Sequence, residues 1–225
     1  MAVGIIPIKT RILTPKDDIV EMIYKYTHDK IGPDDVLTVA ESVVAITQGN
    51  LIRPDEMEIT NLARLCCRFI PDYGSLATPH GMEALMLREG HWRVAFALVA
   101  GFCGKIIGQR GLFYKWGGRQ AALIDDVTGD MPPFDKCVVY GPEQPDSVVA
   151  EIKKRLGCFG AMIADVNDLK RSRIVGATPG MDAQFASNLL IDNPFGNASE
   201  KTPICILKGF RQEQEHRTKS EGLRA

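Results

Sequence analysis

Charge of neither sign is in excess in this chain. Its 27 Lys and Arg stand against 28 Asp and Glu, a formal net charge of -1. No global field therefore draws it to nucleic acid or to an anionic membrane. Histidine is scarce: the 4 residues His28, His80, His91 and His216 lie far apart, none at zinc-site spacing from a cysteine. The 6 cysteines form no Cys-x-x-Cys pair. Most have apolar neighbours, as in Phe102-Cys103 and Ile204-Cys205-Ile206, which predicts buried free thiols in a reducing compartment. No Gly-x-Ser-x-Gly and no Cys–His pairing is present, which removes support for a hydrolase with a covalent nucleophile. Long apolar runs are missing too. Residues 94–103 are too few to cross a bilayer. Met1-Ala2-Val3-Gly4-Ile5-Ile6 lacks the basic start and long apolar stretch of a secretory signal. The expectation is a cytoplasmic protein with no membrane and no nucleic-acid partner.

What is present is ordinary globular material. Hydrophobic residues make up 45% of the 225, enough to bury a real core in one large domain or in two that pack intimately. Residues 3–8 read as a short strand. Pro15-Lys16-Asp17-Asp18 opens a helix whose Ile19, Met22, Ile23 and Tyr26 share one face. Residues 36–40 form a buried strand that runs into Glu41-Ser42. Strand, helix, strand in that order predicts parallel pairing. Residues 55–69 read as one core-facing helix with a stripe of Leu62, Leu65, Cys66 and Phe69. Residues 82–86 read as a further helix, and 92–103 as a helix or a buried strand, with its alanine and glycine content favouring a closely packed helix. Residues 121–124 and 136–140 read as strands, 146–156 and 182–190 as helices, and 204–207 as a last strand. A second strand–helix–strand unit is thus expected across residues 136–167. The segment 211–225 is charged and lacks apolar period, so it is expected to be a flexible tail. The fold class predicted is α+β, with mixed sheets, in a single domain over 1–210 with possible subdomains 1–100 and 101–210.

Two expected strand ends carry acids. Ile124 runs into Asp125-Asp126, and Ala164 into Asp165-Val166-Asn167-Asp168, with Lys170 and Arg171 close behind. Asp165 and Asn167 lie two apart and share a face if the strand continues. Carboxylates converging from separate segments suit Mg²⁺ or Mn²⁺, which take oxygen ligands together with substrate phosphates. The plainer reading makes Asn167-Asp168 a polar turn. Asp17-Asp18 opens a helix and is read as structural.

Between residues 101 and 118 glycines alternate with cations: Lys105, Arg110 and Lys115, followed by Arg119. Backbone freedom with positive charge suits a phosphate or acidic substrate. The alternative is a glycine-rich hairpin with solvated charges. The pattern is no Walker A loop, since Gly104-Lys105 is not followed by Ser or Thr. Phe113, Tyr114 and Trp116 add aromatics that stack bases or a flat ring.

Several segments, in order, resemble the coenzyme F-420:γ-glutamyl ligase family. They are Ile6-Pro7-Ile8, Pro15-Lys16-Asp17-Asp18-Ile19, and Asp34-Asp35-Val36 running through Ala40-Glu41-Ser42-Val43-Val44. Pro145-Asp146-Ser147, Ile163-Ala164-Asp165-Val166-Asn167, Val175-Gly176 and Phe185-Ala186-Ser187-Asn188-Leu189-Leu190 continue the series. The resemblance implies an α+β homodimer that joins L-glutamate to a carboxylate of a deazaflavin coenzyme, using GTP with Mn²⁺ or Mg²⁺. It implies Asp165 as one metal ligand and Asp125 as another, and places Glu41-Ser42 at the nucleotide. From their position beside Asp165, Asn167 is expected to orient the nucleotide and Asp168 to assist a ligand or second ion. Where the family has a lysine after the second strand, Ile46 and Thr47 stand here. Its Gly-Leu-Pro-like turn is Lys9-Thr10-Arg11, so Lys9 and Arg11 are candidate replacement cations for the nucleotide. The alternatives are ATP in place of GTP, a folate or pterin acceptor, and a non-catalytic nucleotide- or anion-binding protein of the same fold.

Overall fold

Three apolar runs, each buried on both faces, build the main sheet. They are β2 (Val36–Ala40), β5 (Gly160–Asn167) and β7 (Ile204–Lys208). With β1 (Gly4–Ile8) and β6 (Arg171–Ala177) they form a five-stranded sheet among the described residues, in the order β1-β7-β2-β5-β6. The computed structural model describes residues 3–71, 74–124, 133–134, 136–167, 170–196 and 200–222. The β2–β5 pair is parallel, with Val36 beside Gly160 and Ala40 beside Ala164. β7 runs antiparallel to both β1 and β2, so β1, β2 and β5 all point the same way. The sheet is mixed and the fold is α+β, as the sequence predicts.

Side chains alternate between two cores, as a period of two requires. Leu37, Val39, Ala161, Ile163, Ile204 and Ile206 face one, with residues of α1 (Ile19–Thr27) and α7 (Pro145–Leu156). Val36, Met162, Ala164, Cys205 and Leu207 face the other, with Phe185 of α8 (Ala183–Leu189) and Phe210 of α9 (Phe210–Gly222). Helices on both faces explain why these strands are continuously apolar rather than alternating with polar residues. Asp18 caps α1 by accepting from the Glu21 amide at 2.9 Å, and Asp182 caps α8 through the Phe185 amide at 2.9 Å. Asp35, itself buried, accepts from Lys208 Nζ at 2.7 Å and from the Gly209 amide at 2.9 Å, tying the start of β2 to the end of β7.

The chain divides into two compact units. One comprises residues 1–49 and 142–225, the other 50–141. The second unit is mostly helical: α3 (Asn61–Cys66), α4 (Pro79–Glu89), α5 (His91–Ile106) and α6 (Leu112–Trp116). Its small sheet pairs β3 (Leu51–Ile52) antiparallel with β4 (Val138–Val139). Residues 81–86 of α4 are buried all round. Glu83 among them, 1% exposed, accepts from the Thr60 amide at 2.8 Å and hydroxyl at 2.6 Å, and pairs with His91 Nε2 at 2.9 Å.

Several expected elements differ. Residues 55–69 are not one helix. A 3₁₀ turn at Pro54–Glu56 gives way to extended backbone, and α3 begins only after Thr60, whose hydroxyl caps the Ala63 amide at 3.2 Å. Leu65 and Phe69 of the expected stripe are exposed. Residues 119–122 form a 3₁₀ turn, not a strand, because Gln120 spends its side chain on Gly141. β4 pairs with β3 and not with β5, so residues 136–167 are not a parallel strand–helix–strand unit. β6, not expected, folds back on β5. The segment expected to be a flexible tail carries helix α9 to Gly222, anchored by fully buried Phe210.

The glycine-rich stretch is a helical hairpin. α5 runs on to Ile106 and packs against α6. Gly104 is there for close approach: a Cβ would lie 2.5 Å from Leu112 Cδ1 and 2.8 Å from the Gln109 carbonyl oxygen. Gly104→Ala gains helix propensity, but the backbone contact cannot yield. The expected net loss is about 1–2 kcal/mol of unfolding free energy in a urea titration.

Glu83 yields a second prediction. Burial pushes its carboxyl up, but hydrogen bonds from Thr60 and His91 outweigh that and leave it below its ordinary value. The stability it contributes is therefore complete above the ordinary glutamate pKa and is lost as pH falls through the lower folded value. Glu83→Ala should cost about 2–3 kcal/mol at pH 7, with the deficit narrowing below about pH 4 in thermal melts.

Candidate functional site

Because β1, β2 and β5 are mutually parallel, their carboxyl ends share one edge of the main sheet. Lys9 follows β1 and Glu41-Ser42 follow β2, while Asp165 lies inside β5, next after Ala164 and two residues before the strand ends at Asn167. Ala40 and Ala164 are register partners. Glu41 and Asp165 thus leave adjacent strands, about 5 Å apart, and Lys9 leaves a strand two places away. The edges of parallel strands at their carboxyl ends are where ligands can reach a rigid scaffold without breaking the core.

Glu41 is buried and opens α2 (Glu41–Thr47), with Ser42 half-buried beside it. The helix has Ala40 as its cap residue and no side-chain cap. Ile46 and Thr47, which stand where the resembled pattern has a lysine, are buried in this helix. That position faces core, and no cation is placed there.

Asp165 is half-buried on β5, on the same side as Ile163, with Arg173 of β6 as its register partner. Burial raises its carboxyl pKa above the ordinary aspartate value, and the charge of Arg173 opposes this without cancelling it. A carboxylate destabilised in this way is one that gains from a cation. β5 remains strand through Asn167 and resumes as β6 at Arg171. The extended geometry that puts Asp165 and Asn167 on one face is thus present in the backbone. The side chain of Asn167 lies outside the described residues, as do Asp125 and Asp168 altogether. Asn167 and Arg171 are register partners at the end of the β5–β6 pair.

The remaining expected residues divide. Lys9 is exposed at the sheet edge. Arg11 instead grips Asp17: Nη1 donates to Oδ2 at 2.9 Å, and Nη2 donates to Oδ1. This pair fastens the loop before α1. Asp17 also accepts from the Thr14 amide at 2.8 Å. The Arg11 hydrogen bond is the main cause holding its carboxyl down at about 2. Lys105, Arg110, Lys115 and Arg119 all belong to the second unit. They lie in the last turn of α5, the following connection, α6 and a 3₁₀ turn, all at exposed positions. Gly101 and Gly104, before Lys105, sit in close helix packing, whereas Gly108 and Gly111 have positive φ and open space around them.

Two cations of this edge were not singled out from sequence. Arg173 faces Asp165 across the β5–β6 pair. Lys201 lies beside the end of β1, its carbonyl accepting from the Thr10 amide at 2.8 Å. The only sequence signal for Arg173 was the basic run after Asn167. Nothing in sequence brings Lys201 near Lys9, because that contact depends on β7 lying between β1 and β2.

The profile of the family described as F420-0:Gamma-glutamyl ligase matches residues 7–167. This chain belongs to that family. The F420-0:gamma-glutamyl ligase match takes in the end of β1, all of β2 and β5 and the whole helical unit, while Asp168, Arg173 and Lys201 lie beyond it. The protein is accordingly a ligase that forms γ-glutamyl amide bonds. Comparison with individually curated proteins gives no match. Among the described residues no helix is long and apolar enough to cross a membrane.

A stability measurement distinguishes a ligand-facing carboxylate from a structural one. The folded pKa of Asp165 is raised, so its ionised form opposes folding at neutral pH and that penalty disappears as pH falls through the folded value. Asp165→Asn should therefore leave the melting temperature of the ligand-free ligase unchanged or higher at pH 7. Asp17→Asn, which breaks the Arg11 pair, should lower it. The stability carried by Asp17 is present above pH 4 and lost as pH falls toward about 2.

Proposed function

We propose that this ligase adds L-glutamate to a carboxylate of a deazaflavin coenzyme, driven by GTP and assisted by Mg²⁺ or Mn²⁺, at the carboxyl edge of the main sheet. The observation that carries the reading is Asp165: a half-buried carboxylate with a raised pKa, beside the end of a parallel neighbour strand that runs into Glu41, inside the segment matched to the family. The donor chemistry fits a hard divalent ion, since both strand ends offer carboxylate oxygen. Among the described residues no cluster of three His, Cys, Asp or Glu side chains forms by itself. The reading therefore assigns Asp165 as the described ligand and keeps Asp125 and Asp168 as its partners. When bound, such an ion neutralises charge on nucleotide phosphates.

In the proposed reaction a carboxylate oxygen of the acceptor attacks the γ-phosphorus of GTP. GDP leaves, and an acyl phosphate forms. The amine of glutamate then attacks the acyl carbon, phosphate leaves with the C–O electron pair, and the amine loses a proton to give the amide. Lys9, with Lys201 beside the end of β1, offers positive charge toward the transferring phosphate. Ser42, in the first turn of α2, contributes a hydroxyl to the nucleotide. The reading also makes the working protein a homodimer, as the family resemblance implies.

The test is a matrix of GTP or ATP with Mn²⁺, Mg²⁺ or chelator, read by thermal shift and by glutamate addition to a deazaflavin acceptor. A nucleotide that binds the folded state alone raises the melting temperature. The expected result is a metal-dependent shift with GTP, and turnover that falls by at least about 100-fold in Asp165→Asn. Full, metal-dependent activity in Asp165→Asn would overturn the role given to that residue. A shift with ATP only would reassign the nucleotide.

A further inference from the structure

Helix α5 is apolar on two sides. One side, with Val94, Ala97 and Gly104, is buried in its own unit. The other carries Trp92, Phe96, Val99, Phe102 and Ile106, which are 82%, 58%, 62%, 65% and 71% exposed. Cys103 is exposed on it as well. A helix that is apolar all round belongs inside a larger body, not at a wet surface. We propose that this outer stripe of α5 is where two copies of the chain pair, with the two helices antiparallel and crossing at Val99. The proposal rests on the homodimer reading above and gives it an interface.

The pattern of the stripe favours a second copy. Positions 92, 96, 99, 103 and 106 step by alternating fours and threes, the spacing of a helix–helix seam. The seam is about 21 Å long. A twofold interface must be self-complementary, and this stripe is nearly symmetric about residue 99. Reversing the helix about Val99 sets Trp92 against Ile106 and Phe96 against Phe102, with the smaller Val99 meeting itself on the axis. Its area also suffices. The exposed parts of these five residues and of Ile107, 69% exposed, come to roughly 900 Å², against about 800 Å² per partner in a standard interface.

The remaining chemistry points the same way. The stripe carries no charge to specify a differently charged partner. Arg93 on the same helix is committed within its unit, to Glu89 at 3.1 Å and to the Trp116 carbonyl at 3.1 Å. A helix lying in a lipid surface needs a strongly polar face opposite its apolar one, whereas the opposite face of α5 is core.

The experiment is sedimentation of the full chain at micromolar concentration, for wild type and Val99→Glu, with circular dichroism to verify folding. Val99 is exposed, so the substitution leaves the unit's core intact. Wild type should be a dimer, and Val99→Glu a folded monomer whose dimer dissociation constant is weaker by at least about 100-fold, because two buried like charges meet at the axis. The antiparallel register has its own readout. Val99→Cys combined with Cys103→Ser should form a disulfide-linked dimer on mild oxidation. Native Cys103 should not, since the two copies would lie about 12 Å apart along the helix axes, beyond disulfide reach. A folded Val99→Glu variant that stays dimeric would overturn the α5 interface and leave the homodimer standing. A monomeric wild type would overturn both, and its co-sedimentation with phosphatidylcholine vesicles would assign the stripe to lipid instead.

Discussion

Parallel pairing of β2 with β5 is the constraint on which the site depends. The two strands lie more than a hundred residues apart in sequence and are buried on both faces, so neither can slip by one residue without turning a whole set of side chains into the wrong core. Fixing Ala40 beside Ala164 fixes what comes next on each strand. Glu41 and Asp165 consequently follow register partners on adjacent strands, Glu41 just past the end of β2 and Asp165 still within β5. β7, antiparallel between β1 and β2, extends the same edge to Lys9 and brings Lys201 to it.

The energetics of this edge differ from those of the structural acids. Asp17, Asp18, Asp35 and Glu83 each accept hydrogen bonds from backbone amides, cations or a hydroxyl and hold the chain together. Asp165 is different. Its surroundings disfavour the ionised form even with Arg173 opposite, so its charge is a cost to the folded protein. Stability exchanged for binding capacity is common where a residue is kept for chemistry rather than packing. The γ-glutamyl ligase family match spans this residue and its neighbour strand, and the physical reading of the edge agrees with that membership.

The helical unit shows how one composition supports different structures. Glycines mixed with Lys105, Arg110, Lys115 and Arg119 suit a phosphate cradle or a hairpin loop as readily as a pair of helices. The packing decides it: Gly104 sits where Leu112 and a backbone carbonyl leave no room for a side chain. The cations then fall at helix ends and connections, in the last turn of α5, the following connection, α6 and a 3₁₀ turn. The aromatic and aliphatic residues of α5 that face outward are left uncovered within one chain, which gives a second copy something to bury.

The sequence by itself determined the apolar strands read at 3–8, 36–40, from Ala161 and at 204–207, the α+β class and helix α1 with Asp18 at its start. It marked Asp165 and Glu41 as candidates as well, because an apolar run that breaks into an acid needs only local chemistry to be noticed. It did not determine which strands pair, that residues 171–177 return as β6 against β5, or that residues 119–122 turn instead of extending. Those outcomes depend on partners distant in sequence: Arg173 matters because it is opposite Asp165, and Gln120 because it reaches Gly141. Only tertiary structure decided that Arg11 is spent on Asp17 while Lys201 joins Lys9. The physical reason is that a side chain's charge is written in its own residue, whereas its freedom to act is set by what the fold brings against it.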